Sequence, residues 1–402
     1  MRKKLLLLCV VCLQALASLA CTSFIVSGRV TPDGRPLMFK NRDTGNQDNL
    51  MIFRKGEKYK FIGIVSAQDA DDKEVWGGHN EKGFAVMNTA AYNLNGDVED
   101  GDMEGVIMRR ALEICVTLKD FENLLDTLPK PLGSNANFGV IDAQGGCAYY
   151  EVGNEKYVKF DVNDVNVAPY GYLMRTNHAM SGERRLDSGV ERYLAISSIM
   201  QQVQFTDEFD WRTLLTQVPR HLTHGLTHLN VYDFMPKDEK TTTYFPFRDF
   251  IPRYTTSSVL MVQGVKPGEN PLLTVSWTMA GSPLTTVAVP LCILPSGKLP
   301  AVVTRGKKAE TAPLVAWGFA LKKKIFPLDR SNGHDYINIA ALVNQSGTGI
   351  LQKLQPVEKE LLDRGSAVVE TSRKNQKWTD MEAYYDWVDQ FLTEQYHKLF
   401  DL

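Results

Sequence analysis

The chain has 402 residues, with 45 Lys and Arg against 47 Asp and Glu and a formal net charge of −2. Arg2, Lys3 and Lys4 crowd the N-terminus, so the rest of the chain carries about −5, a mixed and mildly acidic surface that argues against nucleic acid and anionic membranes as partners. A 44% hydrophobic and 10% aromatic content is enough to bury a large core.

Taken in chain order, the basic start is followed by an uncharged stretch, Leu5 to Ala20, that ends in Ser18-Leu19-Ala20. This is the layout of a secretory signal over residues 1–20. The run is too short and lacks the second basic flank of a membrane span. The expectation is a mature chain of residues 21–402, secreted or periplasmic, with no transmembrane anchor. It reads as one domain with a C-terminal helical extension over about 345–402.

Short β-type runs come next. "TSFIVSG" and "LMFKNRD" flank "PDGRP" and read as a hairpin. "FIGIVSA" and "GFAVMNTAAY" continue the sheet. From Glu104 to Leu128 the period changes to about 3.6, which predicts one amphipathic helix. Strands resume over Asn137 to Gly153, with Gly145-Gly146 as a tight turn. Helices are expected from about Glu183 to Gln202 and from about Asp210 to Leu222. Three further strands, "SSVLMVQGV", "LLTVSWTMAG" and "TTVAVPLCIL", precede a helical tail whose last helix opens on a Thr379-to-Glu382 capping box. Hairpins with helices between them predict an α+β layered fold.

Six cysteines are present, of which Cys9 and Cys12 belong to the leader. Cys115 and Cys147 sit in apolar stretches, and free buried thiols are the favoured reading for these and Cys292, with a disulfide left open. "HLTHGLTH" would set His221, His224 and His228 on one side of a helix, but no carboxylate or cysteine completes a zinc motif and Gly225 interrupts it. No metal and no cofactor are expected.

Cys21 stands where the leader ends and a hydrophobic strand begins. Accident, lipidation and nucleophilic catalysis are the three readings. A lipidated cysteine calls for a bulky aliphatic residue three positions earlier, where Ser18 stands, and for a polar tether after it, where an apolar strand begins. A freed N-terminal cysteine, by contrast, carries a thiol of pKa about 8.5 beside an α-amine of about 7.7–8.0. The amine can take the thiol proton and return it to a leaving group, so no histidine relay is needed. What such a site still needs is an oxyanion hole and a group that holds the amine.

The strings "CTSFIV", "DGRPLMFKNRD", "HNEKGFAVMN", "NFGVIDAQGGCAYYE", "RTNHAM" and "TTSSVLM", in that order from Cys21 to about Pro290, resemble the N-terminal-nucleophile hydrolases of the choloylglycine hydrolase and penicillin V acylase type. The resemblance is nearest to their acyl-CoA:6-aminopenicillanate acyltransferase-like (peptidase C45-like) branch. It implies a four-layer αββα sandwich of two antiparallel sheets. It implies Cys21 as nucleophile, Asp43 as acceptor for the α-amine, and Asn177 as oxyanion donor. A second donor falls on Asn88, or on Ala90 in a gap-free register. The family's basic residue near the thiol is Lys40 by register or Arg42 by identity, and its late arginine corresponds to Arg253. Strand alternation puts Lys40 and Arg42 on one face and Asn41 with Asp43 on the other.

Simpler roles compete: Asp43 as a turn aspartate before Thr44-Gly45, Asn177 as a helix-start residue, and the aromatic C-terminal helix as core. The expected activity is hydrolysis of a linear non-peptide amide through a thioester. The alternatives are an acyltransferase using the same acyl-enzyme and a ligand-binding lipoprotein without catalysis. The partner is a small-molecule amide, with conjugated bile salts, N-acyl amino acids, N-acyl lactones and β-lactam side-chain amides as classes. The acidic loop Asn93 to Glu104 is expected to shape the pocket and to disfavour anionic substrates. Homo-oligomerisation is left open.

Overall fold

A computed structural model describes residues 21–69, 71–94, 102–184, 188–206, 208–306 and 311–402; the leader expected over residues 1–20 lies outside the described residues. The chain begins with β1 (Thr22–Val26) and β2 (Leu37–Asp43), an antiparallel pair in which Val26 faces Leu37 and Thr22 faces Asn41. The connecting loop is longer than a tight hairpin turn, and Gly34 at φ 70° supplies its left-handed step.

A seven-stranded antiparallel meander follows. Its strands are β3 (Asn49–Lys55), β4 (Lys60–Ser66), β5 (Gly77–Asn80), β6 (Ala85–Ala90), β7 (Ala136–Ile141), β8 (Cys147–Val152) and β9 (Tyr157–Asp161), in sequential order. β3 and β9 form strands that the hydrophobic pattern alone does not announce. The chain then returns to the first sheet with β10 (Tyr172–Arg175). Beyond the short β11 (Tyr244–Pro246), it adds β12 (Thr256–Gln263), β13 (Val275–Met279) and β14 (Val289–Leu291), giving the order β10-β1-β2-β12-β13-β14. β11 pairs separately with β15 (Tyr336–Asn338).

The two sheets face one another across an inner layer: Ile25, Met38, Leu260 and Val262 from one, Ala85, Met87, Ile141 and Tyr149 from the other. Close approach is possible because Gly139 has no side chain, and a Cβ there would press on Met87 and lie 3.1 Å from Ile25 Cδ1. Helices cover the outer faces: α1 (Glu104–Ile114) and α2 (Leu118–Thr127) on the meander, α3 (Val190–Thr206) and α4 (Trp211–Gln217) on the first sheet. α5 (Pro313–Ile325), the short α6 (Ile339–Leu342), α7 (Ile350–Lys374) and α8 (Met381–Phe400) complete that side, α7 packing on β14 and α8 on α7. The fold is therefore α+β, a helix-sheet-sheet-helix sandwich.

Several elements differ from expectation. The single helix over Glu104 to Leu128 is two, because Cys115 is extended and Thr117 starts a new helix with a capping box to Asp120. The helix expected near Glu183 begins at Val190. The helix expected over Asp210 to Leu222 ends at Gln217 and runs into one 3₁₀ turn, Val218–Arg220. His221, His224 and His228 therefore share no helical face. Thr223 forms a bridge with Asn230, and His228 takes a left-handed backbone at φ 58°. The last helix starts after Asp380, whose φ of 58° precludes the expected capping box at Thr379. Cys21, Cys115, Cys147 and Cys292 are free and buried.

Candidate active site

β1 is central, flanked by β2 and β10, so its first turn of chain meets the C-terminal ends of both. Topology thus brings Cys21 beside Asp43 and beside the segment after Arg175 that carries Asn177. The Cys21 thiol is 6% exposed and lies 4.0 Å from the Asp43 carbonyl oxygen. In the full-length chain its nitrogen is an amide to Ala20; only proteolysis after Ala20 would convert it to an amine.

The Asp43 carboxylate is held on both oxygens. Thr256 Oγ1 donates to Oδ1 at 2.5 Å, and Arg253 Nε donates to Oδ2 at 2.8 Å. Arg253 also pairs with Asp249 at 3.1 Å. Burial works against the charged guanidinium of Arg253, but the Asp43 carboxylate outweighs it and the pKa is raised. Asp43 thus ends β2 with both side-chain oxygens engaged, and is not a turn residue.

Lys40 and Arg42 share a face, as alternation predicts. Both stand over the Trp76 ring, with their charged ends 5.9 Å and 4.8 Å from its centroid. Asn41 and Asp43 share the other side, both reaching Thr256 Oγ1. Lys40 Nζ donates to Asn88 Oδ1 at 2.6 Å and to the Trp76 carbonyl at 2.8 Å. Holding the amide oxygen of Asn88 in this way leaves its Nδ2 as the end that can donate elsewhere. Arg42 turns instead toward Asn49 and Ser66. Burial lowers the Lys40 pKa to about 8, with the charge of Cys21 pulling the other way.

Asn177 is fully buried, its Oδ1 accepting from Arg192 Nη2 at 2.7 Å and its Nδ2 donating to the Ala90 carbonyl at 3.0 Å. Ala90 therefore contributes its carbonyl as an anchor for Asn177. The Asn177 loop is clamped from below by Glu151, which pairs with Arg175 at 2.7 Å and accepts from the Met180 and Ser181 nitrogens at 2.8 and 2.7 Å. Both partners of that ion pair are buried, at 3% and 0% side-chain exposure.

Arg192 was not signalled by any motif. It is 1% exposed, and its Nη1 donates to the Cys21 carbonyl and, at 3.1 Å, to Thr22 Oγ1 while Nη2 holds Asn177. One guanidinium therefore ties the thiol residue to the amide proposed to face the substrate. Burial lowers its pKa to about 10, with Arg253 as the next cause, so it stays charged at neutral pH. The hint in the sequence was positional: Arg192 shares its helical face with the buried Ala195, Ile196, Ile199 and Val203. An arginine on an apolar face needs a buried partner.

Tyr92 and Lys322 are further neighbours without a sequence signal, and Thr256 lies in the string "TTSSVLM" with nothing to single it out. The Tyr92 hydroxyl has its pKa raised by burial and then by the charge of Cys21. Lys322 on α5 reaches the Tyr254 carbonyl and Gln47, with the Thr256 carbonyl at 3.5 Å, and so props the segment that holds Asp43. Residues 95–101 of the acidic Asn93 to Glu104 loop lie outside the described residues.

Residues 30–218 match the family model described as acyl-coenzyme A:6-aminopenicillanic acid acyl-transferase. Asp43, Asn88 and Asn177 fall inside that range; Cys21 and Arg253 fall outside it. No curated protein matches the chain. Similar solved structures include a variant of conjugated bile acid hydrolase from Clostridium perfringens, at 13% identity and TM-score 0.40, covering 68% of this chain and 92% of that one. An N-acylethanolamine-hydrolyzing acid amidase ortholog from Caenorhabditis elegans gives 16% and 0.36 over 52% and 90%. Penicillin V acylase from Agrobacterium tumefaciens gives 12% and 0.35 over 68% and 86%. At such scores these structures carry no argument about residues or substrates.

Proposed function

We propose, from the premise that this chain is an N-terminal-nucleophile hydrolase of the acyl-coenzyme A:6-aminopenicillanic acid acyl-transferase type, that it cleaves linear amide C–N bonds with the Cys21 thiol. The observation that carries the reading is the junction at Arg192, where one buried guanidinium joins the Cys21 carbonyl to the Asn177 amide. That junction supports a reading in which nucleophile and oxyanion donor share one frame, as preorganised catalysis requires.

Removal of residues 1–20 frees the Cys21 α-amine. The neutral amine takes the thiol proton, directly or through one water, and the thiolate attacks the substrate carbonyl carbon. Negative charge collects on the carbonyl oxygen, to which Asn177 Nδ2 and Asn88 Nδ2 donate. The C–N bond breaks as the ammonium returns its proton to the departing nitrogen, leaving a thioester on Cys21. Water then adds to the thioester carbonyl and releases a carboxylic acid and the free thiol. Asp43, held by Thr256 and Arg253, accepts from the ammonium and keeps it in place. Lys40 serves as the orienting group of Asn88.

Acyl transfer is the second reading, favoured by the family match over residues 30–218. An amine in place of water would then take the acyl group from the same thioester.

The test is intact mass followed by turnover. A secreted preparation should start at an unmodified Cys21 and should hydrolyse members of an N-acyl amide panel, with a trapped thioester visible as added mass. Activity should vanish in Cys21→Ala and in a form with one extra residue before Cys21. Turnover by the extended form would refute the mechanism, and a diacylglyceryl-modified terminus would support the lipoprotein alternative.

A further inference from the structure

Both anchors of Asp43 come from one turn of chain, residues 253–256. Within it the Thr256 nitrogen donates to the Arg253 carbonyl at 3.0 Å and the Arg253 nitrogen donates to Thr256 Oγ1 at 3.0 Å. The side chains at its two ends hold the carboxylate, Arg253 on one oxygen and Thr256 on the other. The β2–β12 ladder ends at this point, with the Thr44 nitrogen donating to the Thr255 carbonyl at 3.0 Å, and its register shifts between Thr256 and Ser258. A ladder disrupted in this way constrains the adjoining chain less than a regular one.

Lys322 reaches this turn from α5. It is 5% exposed, and its Nζ donates to Gln47 Oε1, to the Tyr254 carbonyl and, at 3.5 Å, to the Thr256 carbonyl. Gln47 lies just beyond Asp43 on the chain leaving β2, whereas Tyr254 and Thr256 belong to the turn, so one side chain ties the two together. Nζ also stands 4.7 Å from the centroid of the Tyr254 ring, which stacks on His334 with centroids 3.5 Å apart and planes at 6°. Burial lowers the Lys322 pKa to about 7, and the charge of Asp43 pulls the other way. Burying a lysine is costly unless acceptors are well placed for it, and the acceptors here are the two segments that flank the Asp43 carboxylate.

We propose that Lys322 is a positioning residue of the amide-cleaving site: it fixes the turn from Arg253 to Thr256 against the chain leaving β2, and so keeps both anchors on Asp43, whose carboxylate holds the Cys21 ammonium. Lys322 acts at one remove, through Asp43. The proposal rests on the roles given above to Cys21 and Asp43. A small shift of a group that orients the reacting atoms costs rate far more than it costs binding. The loss of Lys322 therefore belongs in kcat and not in KM, and it should vanish once the Asp43 carboxylate is gone.

The test is a double-mutant cycle on the full mature chain, read by steady-state kinetics with the N-acyl amide that the parent turns over fastest. Lys322→Met should lower kcat about ten-fold and change KM by less than about two-fold. Beside Asp43→Asn the same substitution should cost less than about two-fold more. A lysine needed only for folding would instead lower the yield of active protein by the same factor in both backgrounds. If Lys322→Met does not fold, Gln47→Ala removes one of its acceptors and should give a smaller loss of kcat that again disappears beside Asp43→Asn. Equal losses in the two backgrounds, or a kcat within about two-fold of the parent in Lys322→Met, would overturn the proposal and leave Cys21 and Asp43 in their roles; so would an unchanged kcat in Gln47→Ala where Lys322→Met fails to fold. Turnover untouched by Cys21→Ala or by Asp43→Asn would remove the reading beneath it, and the proposal with it.

Discussion

Arg192 is a side chain whose value lies in what it holds. It contacts Cys21 and Thr22 on one hand and Asn177 on the other, so its loss would remove the donor that holds the Asn177 amide oxygen. Arg192→Met is expected to lower kcat by about 10²-fold with a smaller change in KM, the size of effect seen when an oxyanion donor is misplaced. Because the two residues act as one unit, Arg192→Met combined with Asn177→Ala should cost little more than either alone. Steady-state kinetics of the three variants check this, and additive losses would separate Arg192 from Asn177. Asp43→Asn should keep the fold and depress the rate, since a neutral amide holds an ammonium less well. Unchanged kinetics would remove Asp43 from the mechanism.

Among elements, the loop between β10 and α3 matters most, for it carries Asn177 and has little regular structure of its own. Its described part is held by Asn93 and Asn137 and by Glu151 on β8, which gathers the Arg175 guanidinium, two backbone nitrogens and the Ser181 hydroxyl. Glu151→Gln leaves Arg175 as a buried charge without its carboxylate, against the Met174 carbonyl and the Tyr149 and Phe160 rings, and breaking such a pair costs on the order of 3–5 kcal/mol. Urea unfolding should show that loss, and the residual folded protein should turn over substrate more slowly because the Asn177 loop is loosened. Unaltered unfolding would mean that the ion pair is compensated elsewhere. The β1–β2 hairpin acts in the same way for Cys21 and Asp43: the Thr22 and Asn41 pairing sets the register, and a slip of one residue would turn Lys40 away from Asn88.

The whole molecule buries several cations, and this has a consequence for stability against pH. Burial lowers the pKa of Lys322 to about 7 and that of Lys40 to about 8, from 10.5. Between those values and 10.5 the unfolded chain binds more protons than the folded one, so stability rises with pH across that window. Below about pH 7 both states are protonated and the full penalty of the buried charge is present. Burial raises the pKa of Glu104 to about 8 and of the Cys115 and Cys147 thiols to about 12, which works in the opposite sense. The lysine contribution is therefore read by difference: thermal unfolding from pH 6 to 9.5 should give a Tm that gains less, or loses more, with rising pH in Lys322→Met than in the parent. A slope unchanged by the substitution would mean that Lys322 remains charged through the window.

How much of this was legible beforehand depended on how local the physics is. The sheet strands with their turn residues, the hairpin that joins Cys21 to Asp43, and the alternation that sets Lys40 and Arg42 against Asn41 and Asp43 follow from period-two patterning, which acts over a few residues. The break at Cys115 and Thr117 was readable too, since Thr117 and Asp120 form a local capping box, but the continuous apolar face hid it. What no pattern contained was the meeting of α3 with β1 and of α5 with the segment before β12. These contacts join residues far apart in sequence, so the roles of Arg192 and Lys322 exist only once the two sheets and their helices have packed. Sequence by itself determined which residue types stand at the strand ends; tertiary structure alone decided which buried cations reach them, because the cost of burying charge is set by neighbours that only folding supplies.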